Sequence, residues 1–157
     1  MDGRKMRESE VNMGHLMQPN QANVAGNVHG GEIMKLMDNT AGIVAHRHSR
    51  TNAVTARVDE LEFMKPIHIG DYVTFRGKLT YVGSSSMEVL VEVFVEDLSK
   101  EGSPERALRG YFTMVALGEG NRPEKVPRLI VETEEEKKVF LEGEKRYRSH
   151  KEKKSRS

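Results

Sequence analysis

Asp38 is the first residue whose type and position call for chemistry. It lies in NVAGNVHGGEIMKLMDNTAG, residues 23–42, where a glycine-punctuated loop runs into a helical pattern, and it interrupts the apolar half of that helix. A carboxylate there is costly unless something pairs with it or uses it. Gly30 and Gly31 stand where the loop becomes the helix. Their backbone N–H groups belong to the unpaired donors of a helix N-terminus and can hold an oxygen on which negative charge develops. Asn23, at the start of the loop, adds a neutral amide. Asp38 follows about two turns later, roughly 10 Å along the axis, so one compact carbonyl cannot touch both Asp38 and the start of the same helix. Either a long ligand spans the helix, or Asp38 of one chain faces the glycine turn and Asn23 of another. The composite site is the expectation. The plain alternative, an aspartate at a solvent-facing helix edge, is not excluded by periodicity.

Elimination narrows the reaction. The chain has no cysteine, which removes disulfides, thiolate metal sites and a cysteine nucleophile. VGSSSM lacks the closing glycine of a serine nucleophile elbow, no H-E-x-x-H spacing occurs, and the six histidines are scattered, so no metal site is expected. A thioester remains feasible for a lone carboxylate with amide donors. Its leaving thiol has a pKa of about 8.5 and departs without a strong general acid. The carboxylate can activate water or attack carbon to form an anhydride, and residue types do not choose between the two. A hydratase or dehydratase needs a paired acid and base, and Asp38 and His46 diverge by about 80° around a helix.

Periodicity supplies the elements that hold these residues. EVNMGHLM, residues 10–17, reads as a strand, and 19–28 as a loop. From Gly30 to His46 the apolar Ile33, Met34, Met37, Ala41 and Val44 recur at helical spacing, with Asp38 on the border of that arc beside Gly31, Gly42 and Ala45. The chain then switches to period two. Val54, Ala56 and Val58 alternate, the phase shifts near Asp59 and Glu60, and Leu61 and Phe63 continue to a break at Pro66. Val73, Phe75, Leu79 and Tyr81 mark the next strand. In MEVLVEVFVED, Met87, Val89, Val91, Val93 and Val95 share one face and Glu88, Glu92 and Glu96 the other; RALRGYFTMVALG is the last strand. Short connections favour antiparallel pairing. The expected fold is α+β: an antiparallel sheet wrapped around one long central helix, the hotdog fold, plus a C-terminal helix. Thr133 and Glu136 predict a capping box for that last helix, whose apolar content (Val139, Phe140, Tyr147) suits a lightly docked surface helix.

The expected organisation is a disordered leader over 1–9, the hotdog domain over 10–120, and a proline linker, C-terminal helix and basic tail over 121–157, the end RSHKEKKSRS being disordered. A formal net charge of +1 argues against a globally basic nucleic-acid binder, and no apolar run is long enough to insert in a membrane. The charged N-terminus lacks the apolar run of a signal peptide, so a cytoplasmic protein is expected. A hotdog sheet leaves an edge strand unpaired, so at least a homodimer is expected.

M-x-P-x-x-x-N-x-x-G-x-V-x-G-G-x-x-M-K-L-M-D, from Met17 to Asp38, resembles the active-site segment of hotdog-fold acyl-CoA thioesterases, the group of bacterial short-chain hydrolases and the animal cytosolic (brain-type) enzyme. The likeness continues through AGIVAHRH, NAVTARVDELEF, KPIHIGD and PRLIVETEEEKKVF, covering residues 13–147. The resemblance implies acyl-CoA hydrolysis with Asp38 as base or nucleophile, and Asn23 from the facing protomer placing water and substrate. It implies further that the Gly30 and Gly31 amides polarise the carbonyl and that Thr55 orients the water. It places coenzyme A at a subunit surface near the hairpin, pointing to Ser84, Ser85 and Ser86 with Arg57 or Lys65. Coenzyme A then enters only as part of substrate and product, with no other cofactor. Two equivalent sites per dimer and a hexamer, a trimer of dimers, are implied, whereas the animal enzyme's tandem domains divide the residues between its halves. A noncatalytic acyl-CoA-binding protein and a hotdog hydratase are the alternatives, with a nucleic-acid binder using the basic tail behind them. His29, beside the glycines, is expected to pack the loop or wall the substrate.

Overall fold

The repeat of Ile33, Met37, Ala41 and Val44 builds α1 (Gly30–Ser49), and all four are buried. The computed structural model describes residues 2–156. In chain order the elements around α1 are β1 (Arg4–Lys5), β2 (Val11–Leu16), β3 (Asn52–Phe63), β4 (Tyr72–Val82), β5 (Ser86–Glu96), β6 (Glu105–Leu117), β7 (Leu129–Ile130) and α2 (Glu134–Arg156). Five strands form one antiparallel sheet in the order β2-β4-β5-β6-β3, wrapped around α1 in the hotdog arrangement. The alternation anticipated for β5 holds on its inner face, where Met87, Val89, Val91 and Val93 are fully buried against the helix. Gly77 lets α1 lie close to β4. A Cβ there would stand 2.9 Å from Cγ2 of both Thr40 and Val44.

The phase shift expected in β3 is present. Pairing with β6 slips between Thr55 and Arg57 and again between Asp59 and Glu62, where Glu60 has φ 50°. These bulges re-aim side chains along an edge strand. Val54 and Val58 stay 43% and 36% exposed, because β3 has no neighbour on its far side.

Two expectations drawn from composition fail. Residues 1–9 were expected to be a disordered leader, yet β1 pairs in parallel with β7, a 3-10 turn follows over Met6–Ser9, and Met6 and Ser9 are buried. A single methionine suffices because the backbone is satisfied by β7 and Lys5 pairs with Glu132 at 3.2 Å. The imidazole of His48, buried near the end of α1, joins this cluster by donating from Nε2 to the Pro127 carbonyl at 2.7 Å. Burial holds its pKa below the ordinary value, against the raising effect of that carbonyl. Likewise RSHKEKKSRS was expected to be disordered, and α2 continues through it to Arg156; Met1 and Ser157 lie outside the described residues.

The predicted capping box starts α2: Glu136 N–H donates to Thr133 Oγ1 at 3.0 Å, and Thr133 N–H to Glu136 Oε1 at 3.3 Å. Its docking was not anticipated. Glu88, assigned by alternation to the solvent face of β5, is buried beneath α2, where Arg146 donates to both carboxylate oxygens and Thr80 donates to Oε1. Tyr81 packs between Phe140 and Tyr147, and the Arg146 guanidinium lies 3.9 Å above the Tyr111 ring. Gly143 permits the approach, since a Cβ would fall 2.7 Å from Cβ of Tyr81.

Candidate active site

Because the sheet wraps α1 incompletely, a strip of the helix remains uncovered between the two edge strands β2 and β3. A groove of about 1040 Å³ runs along this seam. Asp38 stands on its helical wall, Thr55 faces it from β3, and Leu36, Ile43, Phe75 and Met114 line much of the remainder. The Thr55 hydroxyl donates to Oδ1 of Asp38 at 2.5 Å, and Sδ of Met114 lies 3.4 Å from the same hydroxyl. The carboxylate is therefore held from the facing strand. Gly42, one turn beyond Asp38, leaves open space where a side chain would project. Among the described residues no group of three or more His, Asp or Glu side chains is placed to hold a metal ion.

The other predicted residues lie elsewhere in the chain. Asn23 caps its own loop, its Oδ1 accepting the N–H groups of Ala25 at 3.0 Å and Asn27 at 3.1 Å. The side-chain oxygen is thus engaged, and the amide NH2 is left as the donor. Of the two glycine amides expected to hold a carbonyl, that of Gly31 donates to Nδ1 of its own His29 at 3.0 Å. His29 is the N-cap of α1, a role its neighbours in sequence do not announce. The Gly30 N–H meets no acceptor among the described residues. Neither Asn23 nor the glycines line the groove that holds Asp38 and Thr55.

The residues expected for coenzyme A divide. Arg57 and Ser86 line a smaller recess under α2 with His150 and Lys151. Arg57 is paired with Asp59 at 2.8 Å, and Asp59 in turn lies 3.2 Å from Nε2 of His150. Ser84 and Ser85 form the β4–β5 turn, where their carbonyls accept the N–H groups of Val126 at 2.8 Å and Ala116 at 2.9 Å. Lys65 forms an ion pair with Glu105 and lines a different recess, bordered by Asp71, Glu96 and Asp97. Sequence reasoning missed Phe75, Met114, His150 and Lys151 as neighbours of these sites. Their strand and helix patterns are those of ordinary structural residues, and only the topology brings them here.

A model of the thioesterase superfamily matches residues 25–101. The chain is 43% identical over 140 residues to the cytosolic acyl coenzyme A thioester hydrolase of Mus musculus, and spans 37% of that protein's length and 88% of its own. It is 41% identical over 130 residues to the uncharacterized acyl-CoA thioester hydrolase YkhA of Bacillus subtilis, covering 83% of this chain and 75% of that one. Among solved structures, an acyl-CoA hydrolase of Staphylococcus aureus in complex with butyryl coenzyme A and coenzyme A is similar with a TM-score of 0.85 at 29% identity, over 99% of this chain and 92% of that one. A hexameric acyl-CoA thioesterase is similar with a TM-score of 0.90 at 29% identity, over 98% and 97%. Structures of the staphylococcal enzyme with an asparagine, an aspartate or a threonine changed to alanine are also similar. Those three positions are separated by fifteen and seventeen residues, as are Asn23, Asp38 and Thr55 here. Fold and sequence agree: the chain belongs to the thioesterase superfamily, and its relatives there are named acyl-CoA thioester hydrolases.

Proposed function

We propose that the chain hydrolyses acyl-CoA thioesters and that Asp38 is the reacting carboxylate. The observation that carries this is the Thr55 hydroxyl bound to Oδ1 of Asp38 on the wall of a largely apolar groove. That bond fixes one carboxylate oxygen and leaves Oδ2 without a hydrogen bond among the described residues. As a base, Asp38 takes a proton from water while the water oxygen bonds to the thioester carbon. The C–S bond then breaks, and the departing thiolate recovers the proton. As a nucleophile, Asp38 bonds to carbon and expels the thiolate, and water opens the resulting anhydride. Both routes end in a fatty acid and free coenzyme A, and both suit a good leaving sulfur.

The developing oxyanion needs donors that one chain does not bring to Asp38, since Gly30 lies about 12 Å away along α1. In our reading the Gly30 N–H and the Asn23 amide come from a second copy, joined through the unpaired edge of β3 and its exposed Val58. Further assembly to a hexamer follows the hexameric relative. Arg57 and Ser86 are the favoured contacts for coenzyme A phosphates, with Ser84 and Ser85 at the rim and Lys65 a weaker choice because Glu105 holds it. The mammalian relative is named cytosolic, and a cytoplasmic location is proposed on that ground.

The test is release of thiol from octanoyl-CoA, followed with a thiol-reactive dye. Release that disappears in Asp38→Ala supports the enzyme. Saturable binding of acyl-CoA with no release from wild type would identify the noncatalytic binder instead.

A further inference from the structure

The seam groove is one-sided about Asp38. On α1 its lining runs from Leu36 past Asp38 to His46 and Arg47 and includes nothing nearer the helix N-terminus; on β3 it runs from Thr55 back to Asn52. Whatever part of the substrate fills it therefore extends from the reacting carboxylate toward the C-terminal end of α1. Along that path the walls are Gly42, Ile43, Ala53 and Val54, which suits hydrocarbon.

The path ends in polar groups. The His46 imidazole and the Asn52 amide line the far end, both residues are exposed, and neither side chain has a partner among the described residues. Arg47 is engaged with the Glu10 carbonyl at 2.6 Å. An apolar chain pushed past this point would cover His46 and Asn52 without replacing the water that satisfies them.

Two independent rulers give the length. Asp38 to His46 is eight helical residues, about 12 Å at ~1.5 Å each. Thr55 to Asn52 is three strand residues, about 10 Å at ~3.4 Å each. An extended hydrocarbon advances roughly 1.25 Å per C–C bond of ~1.5 Å, so 10–12 Å of groove holds about eight to ten carbons. Building on the hydrolase reading above, we infer that His46 and Asn52 close the acyl groove and set a preference for acyl groups of about eight to ten carbons. They are specificity determinants that do not touch the reacting atoms.

The experiment is a series of acyl-CoAs from four to eighteen carbons, each below its micelle concentration, with kcat/KM measured for wild type, His46→Leu and Asn52→Leu. In wild type kcat/KM climbs by up to about fourfold per methylene, stops near eight to ten carbons, and falls at least tenfold by sixteen. The leucine variants keep bulk but remove polarity. In each, the ratio of kcat/KM for fourteen carbons to that for eight rises at least tenfold. A wild-type profile still climbing at sixteen carbons, a flat profile as expected if pantetheine fills the groove, or an unchanged ratio in both variants overturns the inference and leaves the hydrolase reading standing. No release at any length overturns both.

Discussion

The two helices meet opposite faces of one sheet by opposite means. α1 sits on the inner face through an apolar stripe whose members are almost all buried, and a strand glycine, Gly77, lets it sink toward β4. On the outer face α2 has two ring–ring contacts, a cation–π contact and a largely buried ion pair, Glu88–Arg146, with a helix glycine, Gly143, at the closest point. The inner contact rests mainly on hydrophobic area, since only Thr40 and His48 interrupt the apolar residues buried on that face of α1. An ion pair must offset the desolvation of both charges, and does so here through several hydrogen bonds to one carboxylate. The inner helix also carries the candidate chemistry, on the strip that the sheet leaves uncovered.

Six variants, the last read through a pH titration, break or sharpen this contrast. Asp38→Ala should lower kcat for thiol release on the order of 10³-fold or more, with the thermal midpoint nearly unchanged because the residue is exposed; retained turnover would remove the inner helix from the chemistry. Arg146→Ala strands the buried Glu88 carboxylate and should cost about 3 kcal/mol in urea denaturation, with protease cutting within residues 134–156. The double variant Glu88→Gln, Arg146→Met should recover much of that loss, and equal losses would show that the ion pair is not what seats α2. Gly77→Val should cost about 2 kcal/mol by overpacking against Thr40 and Val44, and a silent result would mean that α1 is not held at this depth.

Thr55→Val keeps the side-chain volume and removes the hydroxyl. Turnover should fall about tenfold while the melting temperature holds, a modest loss for one hydrogen bond to a charged group. The smallest effect belongs to His48. Its folded-state pKa is depressed by burial below 6.5, so the unfolded chain binds the proton more readily. The stabilisation is fully present above about 6.5 and is lost as pH falls from there through the folded value. Melting curves between pH 8 and pH 5 should decline less in His48→Gln than in wild type, and parallel declines would mean that His48 does not govern the slope.

The sheet and α1 were legible because each obeys one period against one face. Met87 to Val93 and Ile33 to Val44 need no partner beyond the core to explain them. Asp38 was legible as an anomaly in such a pattern, and its hydrogen bond to Thr55 was not, because seventeen residues and a change of element separate them. Glu88 shows the same limit from the other side. Alternation places it away from the core, and nothing local says that a helix fifty-eight residues later brings Arg146 to cover that face. The leader failed for a related reason, since backbone pairing with Leu129 and Ile130 leaves no mark on the composition of residues 1–9.

The sequence by itself determined the central helix, the five strands of the main sheet and their alternation, the bulge in β3, the cap of α2 and the carboxylate out of keeping with its surroundings, because each is set by neighbours within a few residues. Only the tertiary structure decided that Thr55 holds Asp38, that His29 takes the Gly31 amide, that Arg57 lies with His150 and Lys151 while Lys65 does not, and that His46 and Asn52 line the same groove as Asp38. Those outcomes depend on which strand borders which helix, a matter of long-range pairing that local periodicity does not encode.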